Sequence, residues 1–327
     1  MTVQQSNLRG ALFSLCAFAV YATHDVLVKF LGGSYDAPQL IFFSVLFGFP
    51  LVTLLLMSDR TDGNLLPKHP WWTMIRSVTG VLNAVMAFYA FSKLPLAQCY
   101  AIFFAMPMLI TLLAIPMLGE RIGLHRGLAI LVGLVGVFIV LRPGQVPLGL
   151  GHLAAVGGAV MGAMTSVIVR KIGKEERAVV LMLYPMVANF AVMAVALPFV
   201  YRPMPLPHLG MLGLMSVLGL LGGLLIIAAY RRAPAIVVAP MQYSQIIWAA
   251  IFGYFIFNES VDWWTGVGTA VIVASGIYIV LREDTPKVSK NRPVLEGRSR
   301  YDSGAIPKSS IWLRLFDRGS AGTKDGV

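Results

Sequence analysis

The sequence predicts an all-α integral membrane protein: ten transmembrane helices built as two inverted five-helix repeats. Three observations carry this. Of 327 residues, 57% are hydrophobic and 13% charged, about half the charge of a soluble domain, which is too little polar surface for a water-facing fold. The apolar residues fall into ten runs close to the ~20 residues that cross a bilayer core. The two halves also echo one another at a nearly constant offset.

The runs are 10–31, 38–57, 72–92, 97–118, 124–141, 149–169, 178–199, 209–229, 235–257 and 263–281. The first follows Arg9, lacks an A-x-A cleavage site and continues into His24, Asp25 and Lys29, so it reads as a retained span. Gly32-Gly33 ends it, Pro67 to Pro70 separates the second run from the third, and Gly173 to Arg177 separates the sixth from the seventh. Trp71-Trp72 and Trp263-Trp264 open the third and tenth runs as interface anchors. Gly158/Gly162 and Gly219/Gly223 have the spacing that lets membrane helices approach closely. The organisation is thus a short N-terminal segment (1–9), a first repeat (10–141), a second repeat (149–281) and a basic tail (282–327) expected to be mostly disordered. Within the tail, Ile311 to Phe316 interleave with Arg314 and Arg318, which suits either a short surface helix or a sticky piece of disorder.

The net charge of +11 would suit nucleic acid, but its placement gives topology instead. With the N-terminus cytoplasmic, 22 of the 26 Lys and Arg residues fall inside; Lys93, Arg142 and Arg202 fall outside, and Lys29 lies within a span. Both termini are therefore expected in the cytoplasm, and no nucleic acid is expected as a partner. Cys16 and Cys99 lie in apolar runs and suggest neither a disulfide framework nor zinc.

The internal echo is specific. Ala90-Phe91-Ser92-Lys93-Leu94-Pro95 recurs as Ala229-Tyr230-Arg231-Arg232-Ala233-Pro234, and Gly119-Glu120 as Asn258-Glu259. Val26-Leu27-Val28-Lys29 recurs as Val167-Ile168-Val169-Arg170, and Ile139 to Arg142 as Ile279 to Arg282. Five spans is an odd number, so the two copies must run in opposite directions. Inverted repeats are the architecture of secondary transporters, with the substrate site near midplane between the copies.

Two tandem five-helix repeats, each with a Pro-containing fourth helix closing near a Glu, resemble the EamA branch of the drug/metabolite transporter superfamily over residues 10–282. His24-Asp25-Val26-Leu27-Val28-Lys29-Phe30-Leu31-Gly32 and Ala239-Pro240-Met241-Gln242-Tyr243, continuing through Gly253 to Glu259, are similar to stretches of bacterial S-adenosylmethionine carriers and related exporters. This chain departs from them at His24, where those carriers tend to have Asn, and at Gln242, where they often have Arg. The resemblance implies a cavity lined by spans one, three, four, six, eight and nine, in a bacterial inner membrane.

Polar residues within apolar runs supply the candidate site. Asp25 is the one acidic residue well inside a span, at a cost of roughly 2.5–3.5 kcal/mol if ionised at a helix centre. Lys29 shares its helix face four residues on, with His24 beside it and Tyr21 one turn back. Two readings stand: an internal Asp25–Lys29 pair with Lys29 snorkelling outward, or a lining that pairs a cationic substrate group and carries a coupling proton. A second cluster in the ninth span comprises Gln242, Tyr243, Gln245 and Trp248, one turn beyond Pro240. These suit either amide glue between helices or a surface for a planar or cationic ligand. The fourth span has Gln98 and Tyr100, followed by Pro107. Asn83 and Asn189 read as lone amides between helices, Glu120 and Glu259 as structural or gating residues, and Arg76 as a topology charge that can snorkel.

There is no G-x-x-x-x-G-K-[ST] loop, no H-E-x-x-H and no G-x-S-x-G, and the histidines at 24, 69, 125, 152 and 208 are scattered. Neither a cofactor nor a metal is expected. The sequence therefore reads as a secondary transporter for a small polar or amphipathic metabolite, with S-adenosylmethionine-like compounds ahead of amino acids and vitamins and the bilayer as partner; proton coupling, exchange and facilitated diffusion all fit the Asp25/His24 pair. The rival is a membrane-embedded enzyme or accessory subunit using the His24/Asp25 pair.

Overall fold

The structure is a computed structural model and describes residues 3–57, 65–119, 123–143, 148–173, 175–233 and 235–283. Glu120 and the tail from 284, including Ile311 to Phe316, lie outside the described residues. The first repeat comprises α1 (Val3–Gly32), α2 (Ala37–Met57), α3 (Pro70–Lys93), α4 (Leu96–Phe103), α5 (Met106–Leu118) and α6 (Leu124–Leu141). The second comprises α7 (Leu150–Ile172), α8 (Ala178–Val200), α9 (Leu206–Arg232), α10 (Ala235–Val238), a 3-10 turn (Ala239–Ser244), α11 (Gln245–Phe257) and α12 (Trp263–Glu283).

Seven helical segments among the described residues, not ten, are long and apolar enough to cross a membrane: Leu8–Gly32, Pro70–Lys93, Leu96–Leu118, Leu150–Ile172, Val179–Val200, Leu206–Arg232 and Trp263–Leu281. Ala37–Thr53 and Gly127–Leu141 are apolar but shorter. The expected ninth span is divided because Pro240 has no N–H to give the α-helical ladder, and the chain tightens into the 3-10 turn around it. Its counterpart at 96–118 kinks between α4 and α5, just ahead of Pro107. These two irregularities fall at equivalent places, since Phe104 and Tyr243 are matched by the same offset that matches Pro95 to Pro234.

The packing follows the repeats. α1 lies along α9 and α3 along α7, so the first helix of each repeat packs on the third helix of the other; α2 packs on α8 and α6 on α12. The copies run in opposite directions. The last turn of α1, at Lys29, lies beside the end of α3, whereas α7 ends where α3 begins, with Lys171 4.2 Å above the Trp72 ring and 2.9 Å from the Met117 carbonyl. We refer to the two ends of the molecule as the Lys29 end and the His69 end. α4 sits at the centre: Gln98 alone of its eight residues is not buried.

Small residues set the closest approaches. A Cβ at Gly222 would lie 2.5 Å from the Tyr21 ring, and one at Gly268 2.7 Å from the Gly136 carbonyl, which brings α6 and α12 backbone to backbone. Gly158 and Gly162 meet Phe103 and Met106, as their spacing suggests, but Gly219 faces open space and Gly222 makes the close contact instead. Large apolar side chains such as Phe199, Leu206 and Phe255 are more than three-quarters exposed, the surface of a protein solvated by lipid.

Candidate functional site

Asp25 lies on the inner face of α1 at 1% exposure. Tyr100 donates its hydroxyl to Oδ2 at 2.6 Å, and His24 Nδ1 contacts Oδ1 at 3.0 Å. A buried carboxylate is tolerated only with its oxygens occupied, and both are. α1 and α4 hold this arrangement rigidly: Tyr100 is itself 1% exposed and packs on Phe91 and Phe104, while the His24 ring meets Phe88 edge-on. Tyr21, one turn further along α1, is buried against Gly222.

Lys29 does not pair with Asp25. Its ammonium donates to Glu259 Oε1 at 2.7 Å and to the Leu94 carbonyl at 2.5 Å, with the Phe257 ring centroid at 5.2 Å. The i,i+4 spacing allows the local pair, but Asp25 turns inward to Tyr100 while Lys29 reaches across to the other repeat. Glu259 follows α11 after Asn258, which ends that helix in the left-handed conformation at φ 55°. Its second oxygen accepts the Leu96 N–H at 3.1 Å.

The second cluster is brought partly into contact with the first. The Tyr243 ring is 5.0 Å from Phe104, which adjoins Tyr100, and its hydroxyl abuts α12 where only the hydrogen of Gly276 leaves room. Gln245 is 5% exposed, and its Nε2 makes no hydrogen bond; nor does the buried Ser244 Oγ beside it. Pro240 lies within the 3-10 turn, and the Pro107 carbonyl accepts from Thr111 at 3.0 Å in the first turn of α5. Trp248 stacks on Phe252 of its own helix and Gln242 is half-buried, so neither joins the Asp25 cluster. Gln98 reaches away to His152 at 3.1 Å, tying α4 to α7.

Two further differences concern charge. Arg76 does not snorkel: it is 0% exposed and donates to the Leu181 carbonyl in the first turn of α8. His69 at the start of α3 binds Glu176 through its backbone N–H at 2.5 Å and Glu175 through its ring at 2.7 Å, and Tyr35 bonds His208 at 2.7 Å at the opposite end. Sequence reasoning missed both histidine ties, although the internal echo contained them: it matches His69 to His208, and Tyr35 to Glu176. Among the described residues no three His, Cys, Asp or Glu side chains are grouped to hold a metal.

The comparisons bear on the two helical repeats. The EamA-like transporter family model matches twice, at residues 8–142 and 149–282. The chain belongs to the EamA-like transporter family. It is 27% identical over 277 residues to the S-adenosylmethionine uptake transporter of Rickettsia bellii, covering 84% of this chain and 94% of that protein. It is also 27% identical to the Pseudopaline exporter CntI of Pseudomonas aeruginosa, over 83% of this chain and 93% of that protein. Mouse solute carrier family 35 member G1 is 27% identical over 84% of this chain and 78% of its own length. A solved crystal structure shares the fold at a TM-score of 0.56 and 17% identity, covering 85% of this chain and 97% of the other. This EamA member is therefore a multi-pass membrane transporter, not an enzyme, and the reading of His24/Asp25 as a catalytic pair is set aside.

Proposed function

We propose that the protein is a ten-span secondary transporter that carries a small polar or amphipathic metabolite across a bacterial inner membrane by alternating access. S-adenosylmethionine-like compounds are the leading substrates, ahead of amino acids and vitamins. The observation that carries the reading is the buried Asp25, held by Tyr100 and His24 within the first repeat. A carboxylate held this way in low dielectric attracts positive charge, and on this reading a cationic substrate group or a proton exchanges with these contacts during transport. Names of relatives support the substrate class: one is named for S-adenosylmethionine uptake and another for pseudopaline export.

Both termini are placed in the cytoplasm by the Lys/Arg bias, which makes the Lys29 end the outer one. On this reading the helices Ala37–Thr53 and Gly127–Leu141 and the divided segment at 235–257 complete the ten spans, the shorter ones being matched by local thinning of the bilayer.

The test is exchange of labelled S-adenosylmethionine in proteoliposomes against internal S-adenosylmethionine, amino acids or vitamins, with protein-free vesicles as control. Saturable exchange that disappears in a correctly inserted Asp25→Asn variant is expected. Wild-type rates in that variant would remove Asp25 from the path.

A further inference from the structure

Lys29 stands one helical turn, about 6 Å, beyond Asp25 on α1, and its ammonium is where three segments of the bundle are joined. Lys29 lies in the last turn of α1, Leu94 and Leu96 bracket the turn between α3 and α4, and Glu259 follows α11 in the other repeat. The ammonium rests on the Leu94 carbonyl, just past the end of α3, and the Glu259 carboxylate on the Leu96 N–H, the first of α4. Each charge thus occupies the helix end whose dipole favours it, as well as facing its partner at 2.7 Å.

The burial of this pair suits something that opens. A fully exposed ion pair holds little, and a fully buried one stays shut because neither charge rehydrates on separation. Lys29 and Glu259 side chains are 9% and 22% exposed, at the rim of the bundle, so parting returns each charge to water. Other ties at this end are differently placed. Arg142–Asp262 joins α6 and α12, already packed backbone to backbone; Gln39–Arg202 fastens α2 to the α8–α9 turn, and Tyr35–His208 fastens the α1–α2 turn to α9.

We propose that the Lys29–Glu259 pair, seated on the Leu94 carbonyl and the Leu96 amide, is the gate over Asp25 at this end of the path, closed in this structure. The proposal rests on the transporter reading, but its test needs no substrate, so the two can fail separately. The chain has two cysteines, and Cys16→Ala leaves Cys99 as the sole thiol. Cys99 is 0% exposed, next to Tyr100 and one turn below Leu96. A membrane-impermeant charged methanethiosulfonate is applied to right-side-out and inside-out vesicles. In the Cys16→Ala background, Glu259→Gln and Lys29→Gln are expected to raise the reaction rate from the Lys29 end roughly fivefold or more and to lower it from the His69 end. That is the response of a two-state equilibrium losing a tie present in one state. Lys29→Arg, which keeps charge and donors, stays near the parental rates. Unchanged rates in Glu259→Gln, or faster reaction from both ends, would overturn the gate: the first leaves the pair without influence on access, the second makes it general glue.

Discussion

Tyr21 lies over Gly222 and Asn83 lies over Gly162, and these are one contact seen once in each repeat with the large and small partners exchanged. Gly10 against Ala233 and Gly151 against Leu94 repeat the pattern at the helix ends. The halves share a frame because a packing contact needs only complementary shapes, whichever side supplies the bulk. Their chemistry differs. Where the first repeat has His24, Asp25, Lys29 and Tyr100, the second has Thr165, Ser166, Arg170 and Ala239. Thr165 is satisfied by Thr79 at 2.9 Å and Ser166 by the Gly162 carbonyl at 2.9 Å. A charge in a bilayer is costly, so a site on a two-fold frame needs its carboxylate in one repeat only.

The most direct way to break this comparison is to make the halves alike. In Asp25→Ser the first repeat takes the residue of the second, and tracer exchange is expected to fall roughly ten- to a hundredfold, the worth of a charge-assisted contact. Ser166→Asp, the reciprocal change, is expected to lower the melting temperature in detergent without adding activity, since position 166 is 8% exposed and lacks a tyrosine equivalent to Tyr100. Activity gained by Ser166→Asp would mean the second repeat holds a latent site of its own.

Asp25 was legible in the sequence because an acidic residue within an apolar run has no cheap explanation. Its partners were legible only in part. Local spacing offered Lys29, but the hydroxyl of Tyr100 arrives from another span, and Glu259 reaches Lys29 from the far end of the second repeat. Periodicity within one helix says which face a residue is on, not which neighbour fills that face. The same limit explains Arg76, which hydropathy places near a surface and which the first turn of α8 covers. The seven long spans follow directly from run length, whereas the division of 235–257 depends on how much the chain around Pro240 tightens.

Tyr100→Phe sharpens the comparison at single-atom scale. It keeps the ring packing and removes one donor from Asp25, leaving a buried oxygen short of a partner at a cost of about 1–3 kcal/mol. Exchange about tenfold slower is expected; an unchanged rate would assign Tyr100 to packing alone. Glycine substitutions come next in size. Gly222→Ala meets the rigid Tyr21 ring at 2.5 Å, whereas Gly162→Ala meets the flexible end of Met106 at 2.7 Å. The first is expected to cost about 1–3 kcal/mol and the second less than about 1 kcal/mol, read as detergent melting temperatures. Equal losses would show that the Tyr21 ring yields as readily as the Met106 thioether.

The smallest effect separates a tie that moves from one that does not. Arg142, ending α6 at φ 44°, reaches Asp262 at 2.9 Å, and Asp262 also caps α12 through the Thr265 hydroxyl at 2.7 Å and N–H at 3.0 Å. Burial alone would raise the Asp262 carboxyl, but the Thr265 hydroxyl and amide and the Arg142 charge outweigh it and hold the group below its ordinary value of 3.8. A carboxyl depressed in the folded state adds stability above its unfolded value, and that contribution disappears as pH falls through the lower folded value. The melting temperature of the parent should therefore drop more steeply than that of Asp262→Asn in this acid window. With the Asp262 side chain 44% exposed, the difference is expected to be a few tenths of a kcal/mol, about what a solvent-screened pair contributes. Because α6 and α12 meet backbone to backbone beside this pair, Asp262→Asn should leave Cys99 reactivity unchanged from both sides of the membrane. An altered reactivity would place α6 and α12 among the moving parts and make Arg142–Asp262 a second gate at the same end as Lys29–Glu259.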